Sequence, residues 1–141
     1  MPMRTAIIPA KLQYLCDICE FTGQAARDAG MNEDEVYDIQ LAVDEACSNI
    51  VQHAYGSDCA GDIECTFDDT EEGLRIILRD HGKSFNPSRV PQPDIHADLD
   101  KRPVGGLGIF LMRAKMDVVS YESKGEAGNV LTLIKRRKQQ E

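Results

Sequence analysis

From Asn32 to about residue 55 the chain carries one long amphipathic pattern, and every other segment has to pack against it. At about 100° per residue, Val36, Ile39, Val43, Ala46, Cys47, Ile50 and Ala54 share one side of a helix. Asn32, with Glu35 three residues on, has the form of a capping box. Glu33 and Asp34 fall in the first turn, where the helix dipole favours carboxylates. Glu45 and Asn49 lie on the opposite side, one turn apart, so their side chains stack. A carboxylate beside a carboxamide can serve as a base next to a metal ligand. The same pair is also what a solvated helix face looks like, and on this helix alone that reading is the commoner.

The segments around this helix alternate in type. Residues 4–8 form a β-branched run closed by Pro9, an expected first strand at an edge. Residues 11–29 are helical in pattern, with Tyr14, Leu15, Ile18, Phe21, Ala25 and Ala29 as the apolar stripe, Gly23 as a weak point and Gly30 as the stop. Residues 62–67 and 74–80 alternate around a polar turn and predict an antiparallel hairpin. A short helix is expected over 109–116, then strands over 117–123 and 130–135. Strands that come as hairpins favour an α+β two-layer sandwich, with a mixed, largely antiparallel sheet and helices on one face.

The chain has 141 residues, which suits one domain over 1–141. Sixteen basic against twenty-four acidic residues leave a formal charge of −8. That excludes a nucleic-acid binder, which needs a basic footprint. The basic run Lys135-Arg136-Arg137-Lys138 reads as a solvated tail. No apolar run reaches transmembrane length, and residues 1–9 are too short and broken for a signal peptide. Five cysteines make no disulfide framework. A cytoplasmic protein without a membrane partner is the expectation. Cys16-x-x-Cys19 lacks a second pair at zinc-ligand spacing, so two small buried residues of a helix are expected there.

Three further features carry chemistry. Asp80 ends a strand beside Gly82. A carboxylate there can accept from an exocyclic amine while the glycine lets a flat ring lie close. Residues 86–104 hold four prolines and little periodicity, the composition of a lid or binding loop. Gly105-Gly106-Leu107-Gly108 then precedes a helix. Its backbone can approach a ligand without Cβ clash, and the helix start offers free N–H groups to a phosphate. Two tempting motifs fail. Gly82-Lys83-Ser84 has Ile77 where a P-loop needs glycine, and Gly106-x-Gly108 is followed by Leu111 without a parallel βαβ unit.

Glu45-x-x-x-Asn49 on a long helix, Asp80-x-Gly82-x-Ser84-Phe85 after a strand, a lid, and then Gly105-Gly106-Leu107-Gly108 before a helix form an ordered set. That set resembles the histidine-kinase-like ATPase (Bergerat) fold of sensor histidine kinases, the ninety-kilodalton heat-shock chaperones, gyrase and the mismatch-repair ATPases. Within it the chain is similar, over nearly its whole length, to the anti-sigma-factor serine kinases of bacterial sporulation and stress response. The resemblance implies ATP and Mg²⁺ as cofactors. Asn49 would hold Mg²⁺, and Glu45 would be the general base. Asp80 and Gly82 would receive adenine, Gly106, Leu107 and Gly108 the phosphates, and residues 86–104 would form the ATP lid. The family usually has threonine where Asn129 stands here, supporting the adenine-binding carboxylate; Asn129 can still donate and accept. Lys83, Arg89, Lys101 and Arg102 could add positive charge near the lid. The implied partners are a sigma factor, an anti-sigma-factor antagonist with an acceptor serine, and a second copy of the chain. A nucleotide-dependent binding switch without kinase activity and a detached catalytic module of a sensor-kinase system are the alternatives.

Overall fold

The computed structural model describes residues 3–55, 61–82, 112–125 and 128–137. Strand β1 (Arg4–Pro9) leads through a 3-10 turn (Leu12–Tyr14) into α1 (Leu15–Asp28) and α2 (Glu33–Asn49). Strands β2 (Asp62–Asp69), β3 (Gly73–Asp80), β4 (Val118–Ser123) and β5 (Asn129–Arg136) follow. They form one sheet in the order β1-β2-β3-β5-β4, and all four pairings are antiparallel. β1 is an edge strand, as its terminal proline requires.

The helix starts where its sequence says it should. Asn32 Oδ1 accepts from Glu35 N at 2.8 Å and Glu35 Oε1 accepts from Asn32 N at 2.9 Å, so the capping box is complete. The α-helix ends earlier than the apolar pattern, at Asn49, and Ile50–Tyr55 continue as a π-helical turn. The apolar spacing is insensitive to this change, because a wider turn advances each side chain by only slightly less. π-helical turns are rare and recur at functional positions.

Both helices lie on one face of the sheet. Ile63, Cys65 and Phe67 of β2, Leu74, Ile76 and Leu78 of β3, and Leu131 and Leu133 of β5 are buried toward them. Phe67 stacks on Phe21 of α1, with ring centroids 5.3 Å apart at 50°. From α2, Val36, Ile39, Ala42, Val43, Ala46 and Cys47 complete the core. Gly23 lies where the helices cross: a Cβ there would come within 2.4 Å of Gln40 Nε2, whose amide donates to Cys19 O at 3.0 Å. The glycine that weakens α1 in sequence is what lets α2 approach it.

Cys16 corrects the expectation of two buried thiols. It is exposed and Cys19 only half-buried, because Cys16 sits two positions, about 200°, from the buried Ile18. The outer sheet face carries Ile7, Thr66, Ile77, Val130, Thr132 and Ile134, and no side chain on it is fully buried.

Candidate functional site

Asp80, Asn129 and Ser123 are the terminal residues of β3, β5 and β4, and register brings them side by side. Asp80 is 4 % exposed. Its Oδ1 accepts from Gly82 N and from Asn129 Nδ2, each at 2.9 Å. Asn129 Nδ2 also donates to Gly82 O at 2.9 Å, and Asn129 Oδ1 accepts from Ser123 Oγ at 3.1 Å. Oδ2 of Asp80 accepts none of the hydrogen bonds among the described residues. A buried carboxylate normally fills its acceptor sites. One held oxygen and one open oxygen make an acceptor aimed at a donor from outside the chain.

Gly128 lets the strands come this close. Its φ is +97°, and a Cβ there would lie 2.6 Å from Asp80 O and 2.9 Å from His81 Nδ1. The residue before Asn129 is therefore glycine for both conformation and space.

α2 supplies the second set. Asn49 closes the α-helical part and is 7 % exposed, yet its carboxamide makes no hydrogen bond among the described residues. Glu45, one turn earlier, is half-buried, and its carboxylate likewise makes no hydrogen bond among the described residues. Burial pushes the Glu45 carboxyl above the usual glutamate range, and the neighbouring Asp44 charge adds to it. A carboxylate with raised proton affinity is a better base than an exposed one. Cys47 explains how α2 is seated. It lies beside Cys65, which is paired with Leu78, two residues before Asp80. The last turn of α2 thus lies over the part of the sheet that leads to Asp80. The Cys65 thiol beside it, and burial, raise the Cys47 thiol well above its ordinary range.

Gly106, Leu107 and Gly108, the lid at 86–104, and Lys83, Arg89, Lys101 and Arg102 lie outside the described residues. Residues 112–115, which follow the glycine run, are helical. Their last carbonyl, Lys115 O, accepts from Lys135 Nζ at 2.7 Å, and Lys135 and Lys115 share Asp38 of α2 at 3.7 and 3.5 Å. Among the described residues no cluster of three or more His, Cys, Asp or Glu could hold a metal by itself. Asn49 fits a different kind of site, in which Mg²⁺ takes one protein oxygen and completes its shell with phosphate oxygens and water. Ser123 emerges only from the structure, because a serine at a strand end has no distinguishing signal in sequence.

Comparisons with known proteins place the chain in a family. Residues 8–135 match the profile of the histidine kinase-like ATPase domain. The chain is 39% identical over 114 residues to the serine-protein kinase RsbW of Bacillus mycoides (strain KBAB4), covering 78% of this chain and 71% of that protein. The serine-protein kinase RsbW of Bacillus cereus (strain B4264) is 38% identical over 114 residues, with the same coverage. Among solved structures, the RsbU and RsbW domains of a Mycobacterium tuberculosis protein superpose with a TM-score of 0.64 at 16% identity. That match covers 96% of this chain and 32% of the other, about a third of its length, and is a likeness of fold.

Proposed function

This chain belongs to the histidine kinase-like ATPase domain family, and from that premise we propose that it is an ATP-dependent serine-protein kinase and anti-sigma factor acting on an anti-sigma-factor antagonist. The observation that carries the ATP site is the half-open carboxylate of Asp80. Its free Oδ2 suits the amino group of adenine, and Gly82 beside it leaves room for the ring. Identity of 38–39% to named serine-protein kinases over 78% of the chain supports the phosphoryl transfer. Incubation with labelled ATP, Mg²⁺ and candidate antagonists should put label on a serine of the antagonist. Absence of label with every antagonist would turn the reading into a nucleotide-dependent binding switch.

In this reading Glu45 takes the proton of the acceptor serine as its Oγ bonds to the γ-phosphorus. The bond to the leaving ADP oxygen breaks in the same transfer. Gly106, Leu107 and Gly108 are the proposed phosphate-binding residues, a role their sequence suits because glycine backbone can approach a ligand closely. Asn49 would hold Mg²⁺ through its side-chain oxygen, and the ion would neutralise phosphate charge. Phosphoryl transfer needs mostly positioning and charge stabilisation, so few side chains suffice.

Two expected results follow from the site. ATP should bind more tightly than GTP, because Asp80 faces an amino group in one base and a carbonyl in the other. Mispairing a charged hydrogen bond costs roughly 1.5–3 kcal/mol; equal affinities in calorimetry would remove Asp80 from this role. Asn49→Ala should abolish the tightening of ATP binding by Mg²⁺. A variant whose ATP affinity still responds to Mg²⁺ as the parent's does would return Asn49 to a plain helix position.

The proposed partners are a sigma factor, the antagonist and a second copy of the chain. Homodimer formation is supported by the outer sheet face. Its centre is apolar or hydroxyl-bearing, and Asp68–Arg75 and Glu72–Arg136 ion pairs lie at its rim, the layout of a protein interface. A cytoplasmic location belongs to the same proposal. It is supported by four free cysteines among the described residues, Cys16, Cys19, Cys47 and Cys65. No helix among the described residues is long and apolar enough to cross a membrane.

A further inference from the structure

Ser123 belongs to the hydrogen-bond chain that reaches Asp80 through Asn129. It closes β4 and is paired in register with Asn129, the first residue of β5. Its Oγ donates to Asn129 Oδ1 at 3.1 Å. Asn129, 4 % exposed, directs its amide hydrogens to Asp80 Oδ1 and Gly82 O, both at 2.9 Å. A carboxamide has two ends of opposite sense. Turned over, it would set its own oxygen against the Asp80 carboxylate and the Gly82 carbonyl, with acceptors facing acceptors in a buried place. A hydroxyl that donates to Oδ1 fixes that end as the acceptor, and hydrogen bonds in a chain strengthen one another.

We infer that Ser123 is a specificity-determining positioning residue: through Asn129 it holds Asp80 so that Oδ2 alone meets the exocyclic amine of the base. This rests on the adenine-recognition role proposed for Asp80. Ser123 is exposed on an edge strand, so cutting it to alanine removes little packing. A merely structural role would shift the melting temperature without altering discrimination between bases.

The test is calorimetric titration of the full chain with ATP and with purine riboside triphosphate, which has hydrogen where adenine has its amino group. Ser123→Ala should weaken ATP binding about three- to tenfold, the worth of one hydrogen bond. It should leave the affinity for purine riboside triphosphate unchanged, and Ser123→Thr should restore the parent's ratio. Asp80→Ala serves as the reference and should erase the preference for ATP. If Asp80→Ala keeps the preference, adenine recognition by Asp80 falls and this inference falls with it. If Asp80→Ala loses the preference while Ser123→Ala keeps the parent's ratio, Ser123 has no such role and the reading of Asp80 stands.

Discussion

Glu45→Ala is expected to bind ATP within a factor of a few of the parent and to phosphorylate the antagonist at least about 10²-fold more slowly. Glu45 sits on α2 beside Asn49, with no place in the Asp80 network, so the proposed recognition of adenine should not depend on it. A general base contributes typically about 10²–10⁴-fold, or roughly 3–5 kcal/mol of activation free energy. Its environment adds a pH signature. Burial first, and the Asp44 charge second, raise its pKa, so the rate should fall on the acid side at a pH above the ordinary glutamate range. The same shift acts on stability. The folded chain holds this proton more tightly than the unfolded chain. The stabilisation is complete below the unfolded pKa and is lost as pH rises through the raised one. At neutral pH an ionised Glu45 is therefore a cost, and Glu45→Ala should melt no lower than the parent. An unchanged transfer rate would place the base elsewhere.

Phe67→Ala is expected to destabilise the fold by about 3–5 kcal/mol, against a total of roughly 5–15 kcal/mol for a domain of this kind. Phe67 is fully buried near the end of β2, pairs with Ile76 and carries the ring contact to Phe21 of α1. Its removal leaves a cavity between sheet and helix that neither rigid layer can close. Urea unfolding would measure the loss. A cost under about 1 kcal/mol would mean that the core collapses around the missing ring, as happens where neighbours can relax.

Much of this was legible because it is local. The capping box at Asn32 and Glu35, the hairpin of β2 and β3, and the edge position of β1 each follow from a few adjacent residues. Asp80 and Glu45 stand out as candidates because strand ends and helix faces are periodic. Other features depend on residues distant in sequence. Nothing near residue 129 announces that β5 enters between β3 and β4, and without that order Asn129 has no route to Asp80. The role of Gly128 is set by the backbone of Asp80 across the sheet. Gly23 looks like a flaw in α1 from the sequence, because the crossing helix that needs it is distant along the chain. The switch to a π-helical turn after Asn49 leaves the apolar spacing almost unchanged, so the pattern ran through it.

The strand order also has a consequence in time. β5 follows every other strand in the sequence, yet it lies inside the sheet and covers the edge of β3. During synthesis β1, β2 and β3 can pair as soon as they emerge, but one side of β3 stays bare until residues 129–136 arrive. Non-local pairings of this kind close slowly, and an uncovered strand edge is a template for mispairing. A nascent chain stopped short of Asn129 therefore carries Asp80 without the partner that holds it. Nucleotide should bind only after the last strand has docked, so ligand can rescue a finished chain but not a growing one.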